Sequence, residues 1–499
     1  MATPDKSRLV LLVGIALLAF VSFGVIYMRQ APASQTLHAT FPVGSLNRDG
    51  TLLDPANTDS VWHYYLLENL AVGLIRDDVR EPSGFQGALA SRWFQQSPQE
   101  WRFELRAGLR WSDGQPMSGE QIAAHFERLS RSRSRHLQYL PRLSSAQVVP
   151  SREGSEAQLA LHFSVPTDQG LPHELSLADA ALVHPDDRFW KVTSGPYSVR
   201  AFDPEKQRLI LVANKNSPLY SEAAPQGVEL APIPPGKSPR DLFRSVDTQL
   251  YLAPPFPFLQ AQREALQSAP QHMDGTPSAI YFFHFNASHP LTKNPELRRA
   301  FSALIHQGLA SFSDLGLQSE HQMIPRGYSG RIDSYRPAVA PLHALRGQKL
   351  ILDLLQPMDE LDPIFSRLRE LAKIQGVDLD FRYRRYDAPE PAGVFAHALI
   401  FQGNQKDSLG SWSFLFAEKS GQLSPYRSLI VKDLDAAVRS VSRDEQLKHL
   451  RVLHQKVLDQ AIAVPFLNAT SRLLAAANLD LSRLNPFDLR PRYYEIRFR

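Results

Sequence analysis

The stretch Trp101-Arg-Phe-Glu-Leu-Arg-Ala-Gly-Leu-Arg-Trp-Ser-Asp-Gly-Gln-Pro-Met-Ser-Gly-Glu-Gln-Ile-Ala-Ala-His-Phe126 carries two structural periods in succession. Trp101, Phe103 and Leu105 alternate with Arg102, Glu104 and Arg106, the period of a half-buried strand. Asp113-Gly114 supplies a tight turn. Ser118 and Gln121 stand at capping-box spacing, which predicts a helix start, and Ile122, Phe126 and Leu129 give that helix one apolar face. The local reading is strand, turn, capped helix.

Working outward, Thr36–Phe41 reads as a strand, and a helix starting at Asp59-Ser60 runs through Trp62, Tyr65, Leu66, Asn69 and Leu70. Leu159, Leu161, Phe163 and Val165 alternate as another strand, and Leu209–Ala213 is a further one. Ile280–Asn286 is a continuous apolar run, as expected of a strand buried on both faces. Asn294-Pro295-Glu296 is a helix start, with Asn as cap and Pro in the first turn; Leu297, Ala300, Phe301 and Leu304 follow on one face. The strand Lys349–Leu355, a helix through Ile364, Phe365, Leu368 and Leu371, a stop at Gly376 and the strand Val377–Phe381 form a β-α-β unit, which implies a parallel sheet. Val394–Phe401 adds a short strand, and no internal repeat is visible.

The chain has 499 residues, 43% hydrophobic and 21% charged, too many for one core, so two or more domains are expected. A formal net charge of +4, spread along the chain, falls short of a nucleic-acid footprint. The 38 prolines suit many loops and edge strands. The absence of cysteine excludes disulfides, thiol catalysis, thiolate metal sites and a lipid-anchored cysteine. Leu9–Met28 is uncharged and mostly apolar, long enough to cross a bilayer core of ~30 Å. Lys6 and Arg8 before it keep the amino terminus cytoplasmic and send the body outward. Ala31-Pro-Ala33 resembles a signal-peptide cleavage site, whereas the length of the apolar run favours an uncleaved anchor. The expectation is therefore a periplasmic or extracytoplasmic body anchored in the inner membrane by residues 9–28.

The opening stretch resembles the signature of the bacterial extracellular solute-binding proteins of the oligopeptide- and dipeptide-binding family (family 5). Further segments share the likeness: Leu53-Asp-Pro-Ala56, Gly73-Leu-Ile75, Ala88–Trp93, Thr193-Ser-Gly-Pro-Tyr197, Asn214 through Tyr220, Phe243–Asp247, the strand ending in Phe285-Asn286, the helix after Asn294, Ser424-Pro-Tyr426 with a helix from Asp433 onward, and Val464-Pro-Phe466. The resemblance covers about Thr36 to Asn468. It implies an α/β two-lobed clamp of the periplasmic-binding-protein kind (type II, large peptide-binding class) with an extra subdomain, preceded here by one N-terminal hydrophobic helix. The implied boundaries are 1–35 for the signal or anchor, 36–280 for lobe I with a subdomain at about 61–175, 281–468 for lobe II, and 469–499 for a return to lobe I.

No hydrolase elbow, His-Glu-x-x-His, Walker loop or Gly-x-Gly-x-x-Gly is present, so no catalytic residue, cofactor or metal is expected. His284 and His289, five apart, suit no single helix face and read as packing or surface groups. Arg128, Arg131, Arg133, Arg135 and Arg142 read as a solvated helix end, with an anionic surface as the other reading. Trp101 and Trp111 read as core and turn packing. The resemblance singles out Phe401-Gln402-Gly-Asn404-Gln-Lys-Asp407 with Trp412 as the ligand segment. In peptide-binding members an early aspartate of this loop pairs with the peptide amino terminus. Here Asn404 falls on that position and Asp407 lies later. An Asn accepts a hydrogen bond but neutralises no ammonium, so either Asp407 takes over or the ligand is not a free-amine peptide.

The expected function is therefore non-enzymatic capture of a peptide or similar small solute for an ABC permease of the inner membrane. The expected protein is a monomer that binds no nucleic acid and meets the membrane through its N-terminal helix. The alternative is a membrane-anchored sensor or interaction protein that keeps the fold without transport.

Overall fold

The computed structural model describes residues 36–499 apart from 43–54, 56–60, 79, 133–136, 150–156, 168–169, 188, 234–238, 245–247, 254–259, 309–317, 337–339, 386–387, 403–407, 418–420, 441 and 486–488. The opening stretch folds as its periods require. Glu100–Leu105 is a strand that buries Trp101, Phe103 and Leu105. Ser118 caps the helix Gly119–Leu129 with both halves of the capping box formed. The strand lies inside a four-stranded antiparallel sheet ordered Ala90–Ser97, Glu100–Leu105, Gln158–Phe163, Leu143–Val149.

Two larger sheets complete the fold. One has seven strands, in the order Gln271–Asp274, Arg472–Ala475, Leu250–Ala253, Thr36–Thr40, Gly227–Ala231, Arg208–Ala213 and Tyr197–Asp203. The other has six: Gln318–Ser319, Ala463–Ala469, Ala279–Phe285, Ala396–Gln402, Lys349–Leu355 and Asp378–Arg384. Lys349–Leu355 and Asp378–Arg384 pair in parallel across the helix Asp362–Ile374, and Gly376 leaves that helix at φ 75°. This left-handed exit suits glycine. Every residue of Ala279–Phe285 is buried. Asn294 accepts from the Glu296 backbone N–H at 2.9 Å as the helix Pro295–Gly308 begins. The helix expected from Asp433 starts earlier, at Arg427. It ends at Arg439, and a second helix, Arg443–Asp459, begins on a Ser442 cap.

Near the carboxy end, Arg490 and Arg492 reach back to Glu68 and Asp77. Arg76 pairs with Glu495 at 2.6 Å. Burial alone would raise the Asp77 carboxyl, but the two guanidiniums hold it well below the usual carboxylate range. This buried, charge-matched clasp returns the last segment to the seven-stranded unit. Among the described residues no helix is long and apolar enough to cross a membrane; the predicted span Leu9–Met28 lies outside them.

Candidate functional site

The chain crosses between the two large sheets at 275–278 and again at 470–471. The crossings touch: the Gly275 N–H donates to the Ser471 carbonyl at 3.1 Å. Both enter the six-stranded sheet at one edge, where Ala279 pairs with Ala469 and, on its other side, with Gln402. Residues alternate between faces along a strand. Ala279, Tyr281, Phe283 and Phe285 therefore join the core on one face, while Ile280 and Phe282 join the core on the other. Phe401 and Asn468 both sit opposite Ile280, so they share its face at the edge where the lobes are tied.

Of the predicted ligand residues, Phe401 ends its strand at this edge, largely buried, with its ring 5.9 Å from that of Phe414. Gln402 follows as the last strand residue. Asn404 and Asp407 lie outside the described residues. Trp412 requires a correction. It is fully buried on the helix Ser408–Leu415, packed against His454 at 5.3 Å and Phe416 at 6.1 Å. Its place is the core, where it packs against the helix Arg443–Asp459 through His454. His454 is neutral there: burial pulls its pKa down to about 3. Its Nε2 accepts from the Met323 N–H at 3.3 Å, which leaves Nδ1 to donate to the Gly330 carbonyl.

Sequence reading overlooked Asn468. Its side chain is 4% exposed, and neither Nδ2 nor Oδ1 has a hydrogen-bond partner among the described residues. A buried polar group left unpaired costs about 1–3 kcal/mol. The available signal was a polar residue in the otherwise apolar strand Ala463–Ala469.

Further along the same face, His284, His397, Asp353 and Arg384 form a row across four adjacent strands. His397 Nδ1 lies 3.0 Å from Asp353 Oδ2, which also accepts from Arg384 Nε at 2.5 Å. The two imidazoles stack at 5.1 Å, with Glu390 3.4 Å from His284. His289 instead caps its own turn through the Leu291 N–H. No group of three or more metal-ligating side chains among the described residues could hold an ion. Trp101 and Trp111 are core residues, as expected. Of the arginine cluster, Arg142 donates to the Gln138 carbonyl within its own segment, and Arg133 and Arg135 lie outside the described residues.

The family described as bacterial extracellular solute-binding proteins, family 5 Middle, matches residues 84–308. Through this span the chain is similar to the family 5 extracellular solute-binding proteins. The likeness of fold extends well beyond that segment. Haemophilus influenzae OppA, solved in complex with the peptide RPPGFSPFR, superposes with a TM-score of 0.73 at 13% identity, covering 94% of this chain and 100% of that one. The Escherichia coli murein tripeptide binding protein MppA gives 0.71 at 16% identity over 93% and 99%. NikA from Brucella suis, in complex with Fe(III)-EDTA, gives 0.73 at 14% over 93% and 100%. At these identities the likeness establishes the two-lobed α/β architecture. A curated relative, the HTH-type transcriptional regulator SgrR of Yersinia enterocolitica, is 23% identical over 330 residues, 63% of this chain. The chain spans about half, 53%, of that relative's length.

Proposed function

We propose that this chain captures a peptide or similar small solute between its lobes for ABC-type uptake, and that the solute meets Phe401, Gln402, Asn404, Asp407 and Asn468. The observation that carries the reading is Asn468: a buried amide with donor and acceptor both without a partner among the described residues, at the edge where the two crossings tie the lobes. A solute that pairs with it offsets the cost of burying it unpaired, and that gain exists only with the lobes closed around the guest. In this reading lobe I comprises 36–280 with a subdomain at about 61–175, lobe II comprises 281–468, and 469–499 return to lobe I. Residues 9–28 anchor a monomeric body outside the cytoplasm, and no bond is made or broken in the solute.

The test uses the full chain purified in mild detergent without refolding. Native mass spectrometry looks for a retained small molecule, and calorimetry compares free tri- to pentapeptides with their N-acetylated forms. Asn468→Leu is expected to weaken binding roughly tenfold or more. Equal affinity for free and acetylated peptides is the outcome expected of Asn404 in place of an aspartate. A chain that retains nothing and binds none of the peptides refutes solute capture.

The curated relative favours a second reading, because its name is that of a transcriptional regulator. In that reading the clamp is a membrane-tethered sensor whose closure is read by a partner. Uptake of the bound solute by cells with and without the chain separates the two; unchanged uptake selects the sensor.

A further inference from the structure

Between the helix Gly119–Leu129 and the strand Leu143–Val149, the short segment around Tyr139 packs Leu137, Tyr139 and Leu140 into the core. Its backbone is held from below. The Tyr139 N–H donates to Glu174 Oε2 at 2.9 Å and the Leu140 N–H to Oε1 at 2.6 Å, and the Gln138 N–H donates to the same carboxylate. Tyr139 is thereby fixed before its hydroxyl meets anything.

That hydroxyl accepts from Gln446 Nε2 at 2.9 Å, across 307 residues of sequence. Gln446 belongs to the other unit, in the first turn of Arg443–Asp459, and is fully buried. It too is held in place: its Oε1 accepts from Arg443 Nη1, and Arg443 Nη2 donates to Ser329 Oγ at 2.7 Å. Around the bond one continuous apolar cluster takes Phe126, Leu129 and Leu140 from the four-stranded unit and Ala437, Leu450 and Leu453 from the helices of the six-stranded unit. A polar pair inside an apolar contact favours one relative position, because sliding the surfaces breaks the bond to Tyr139 and leaves Gln446 Nε2 its longer contact to the Ala437 carbonyl at 3.4 Å.

We infer that Tyr139 and Gln446 form a latch that holds the four-stranded unit closed against the second lobe without solute. The clamp then opens by breaking this bond together with its apolar surround. Solute entry is gated by the latch, and the inference rests on the two-lobed architecture rather than on any particular solute. Tyr139→Phe removes the acceptor and keeps the ring; Gln446→Leu removes the donor and keeps the bulk.

The chain lacks cysteine, so a labelled pair is unambiguous. Spin labels at Ala124→Cys and Lys448→Cys, both exposed, report the separation of the two units in the solute-free full chain. The parent is expected to show one narrow distance. Each latch variant is expected to add a longer population, with the closed-to-open ratio falling about tenfold. Melting temperatures are taken alongside. Narrow, unchanged distances in both variants overturn the latch even when melting falls, since a merely structural bond lowers stability without opening the units. A broad distribution in the parent overturns it as well. Failure of the parent to bind peptides bears on solute capture alone, because these distances are read without solute.

Discussion

Replacing Glu174 by Gln removes one titration from the folded chain; the amide keeps only one acceptor oxygen for the backbone N–H groups of 138–140, a loss that does not vary with pH. The Glu174 carboxyl is completely enclosed, and burial pushes its pKa from 4.5 up to about 7, against the pull of the N–H groups of Leu140, Gln138 and Tyr139 and of Arg142. The folded state therefore holds this proton more tightly than the unfolded chain does. The stability it contributes is fully present below pH 4.5 and is lost as pH rises through about 7. A rise of this size at about 1.4 kcal/mol per unit amounts to roughly 3 kcal/mol. Two buried histidines and the half-buried His306 pull the other way. Burial lowers His125 and His454 to about 3 and His306 to about 4, so their contribution is present above the ordinary histidine range and is lost on acidification. Both chains share these histidines, so the difference between parent and Glu174→Gln isolates the carboxyl. Denaturant midpoints taken from pH 5 to 8 should show the parent's advantage over the variant shrinking steadily as pH rises. Parallel profiles across that window would refute the burial argument.

Trp412→Ala should destabilise the whole chain by about 3–5 kcal/mol, since the side chain is fully buried against Phe416 and His454; a melting scan checks it, with Trp412→Phe expected to recover most of the loss. Gly195→Ala should sharply reduce the yield of folded protein on expression. A methyl there would lie 2.4 Å from the Leu70 carbonyl carbon and 2.5 Å from the Ala71 nitrogen, and a normal yield and melting temperature would contradict that crowding.

The Gly195 crowding explains why one recognised motif was legible. The Gly-Pro-Tyr turn passes against the backbone at the end of Val61–Leu70, and the Gly195 N–H donates to the Leu70 carbonyl at 3.0 Å, so the glycine records a backbone contact. The capping box at Ser118, the β-α-β unit around Asp362–Ile374 and the apolar crossing strand were readable for the same kind of reason: each is a local rule of chain geometry. The candidate site was readable only in part. Phe401 could be placed at the end of its strand, but Trp412 was assigned to the ligand segment by resemblance, and an aromatic side chain near a loop carries no mark of which way its helix turns.

Strand period, helix start and glycine stop were thus decided by the sequence alone, because those signals arise among residues a few positions apart. The isolation of Asn468, the burial of Trp412, the row from His284 to Arg384 and the bond from Tyr139 to Gln446 were decided only by the tertiary structure. A side chain's burial and its hydrogen-bond partner depend on which distant segments the sheets bring alongside it, and no local pattern in the chain encodes that meeting.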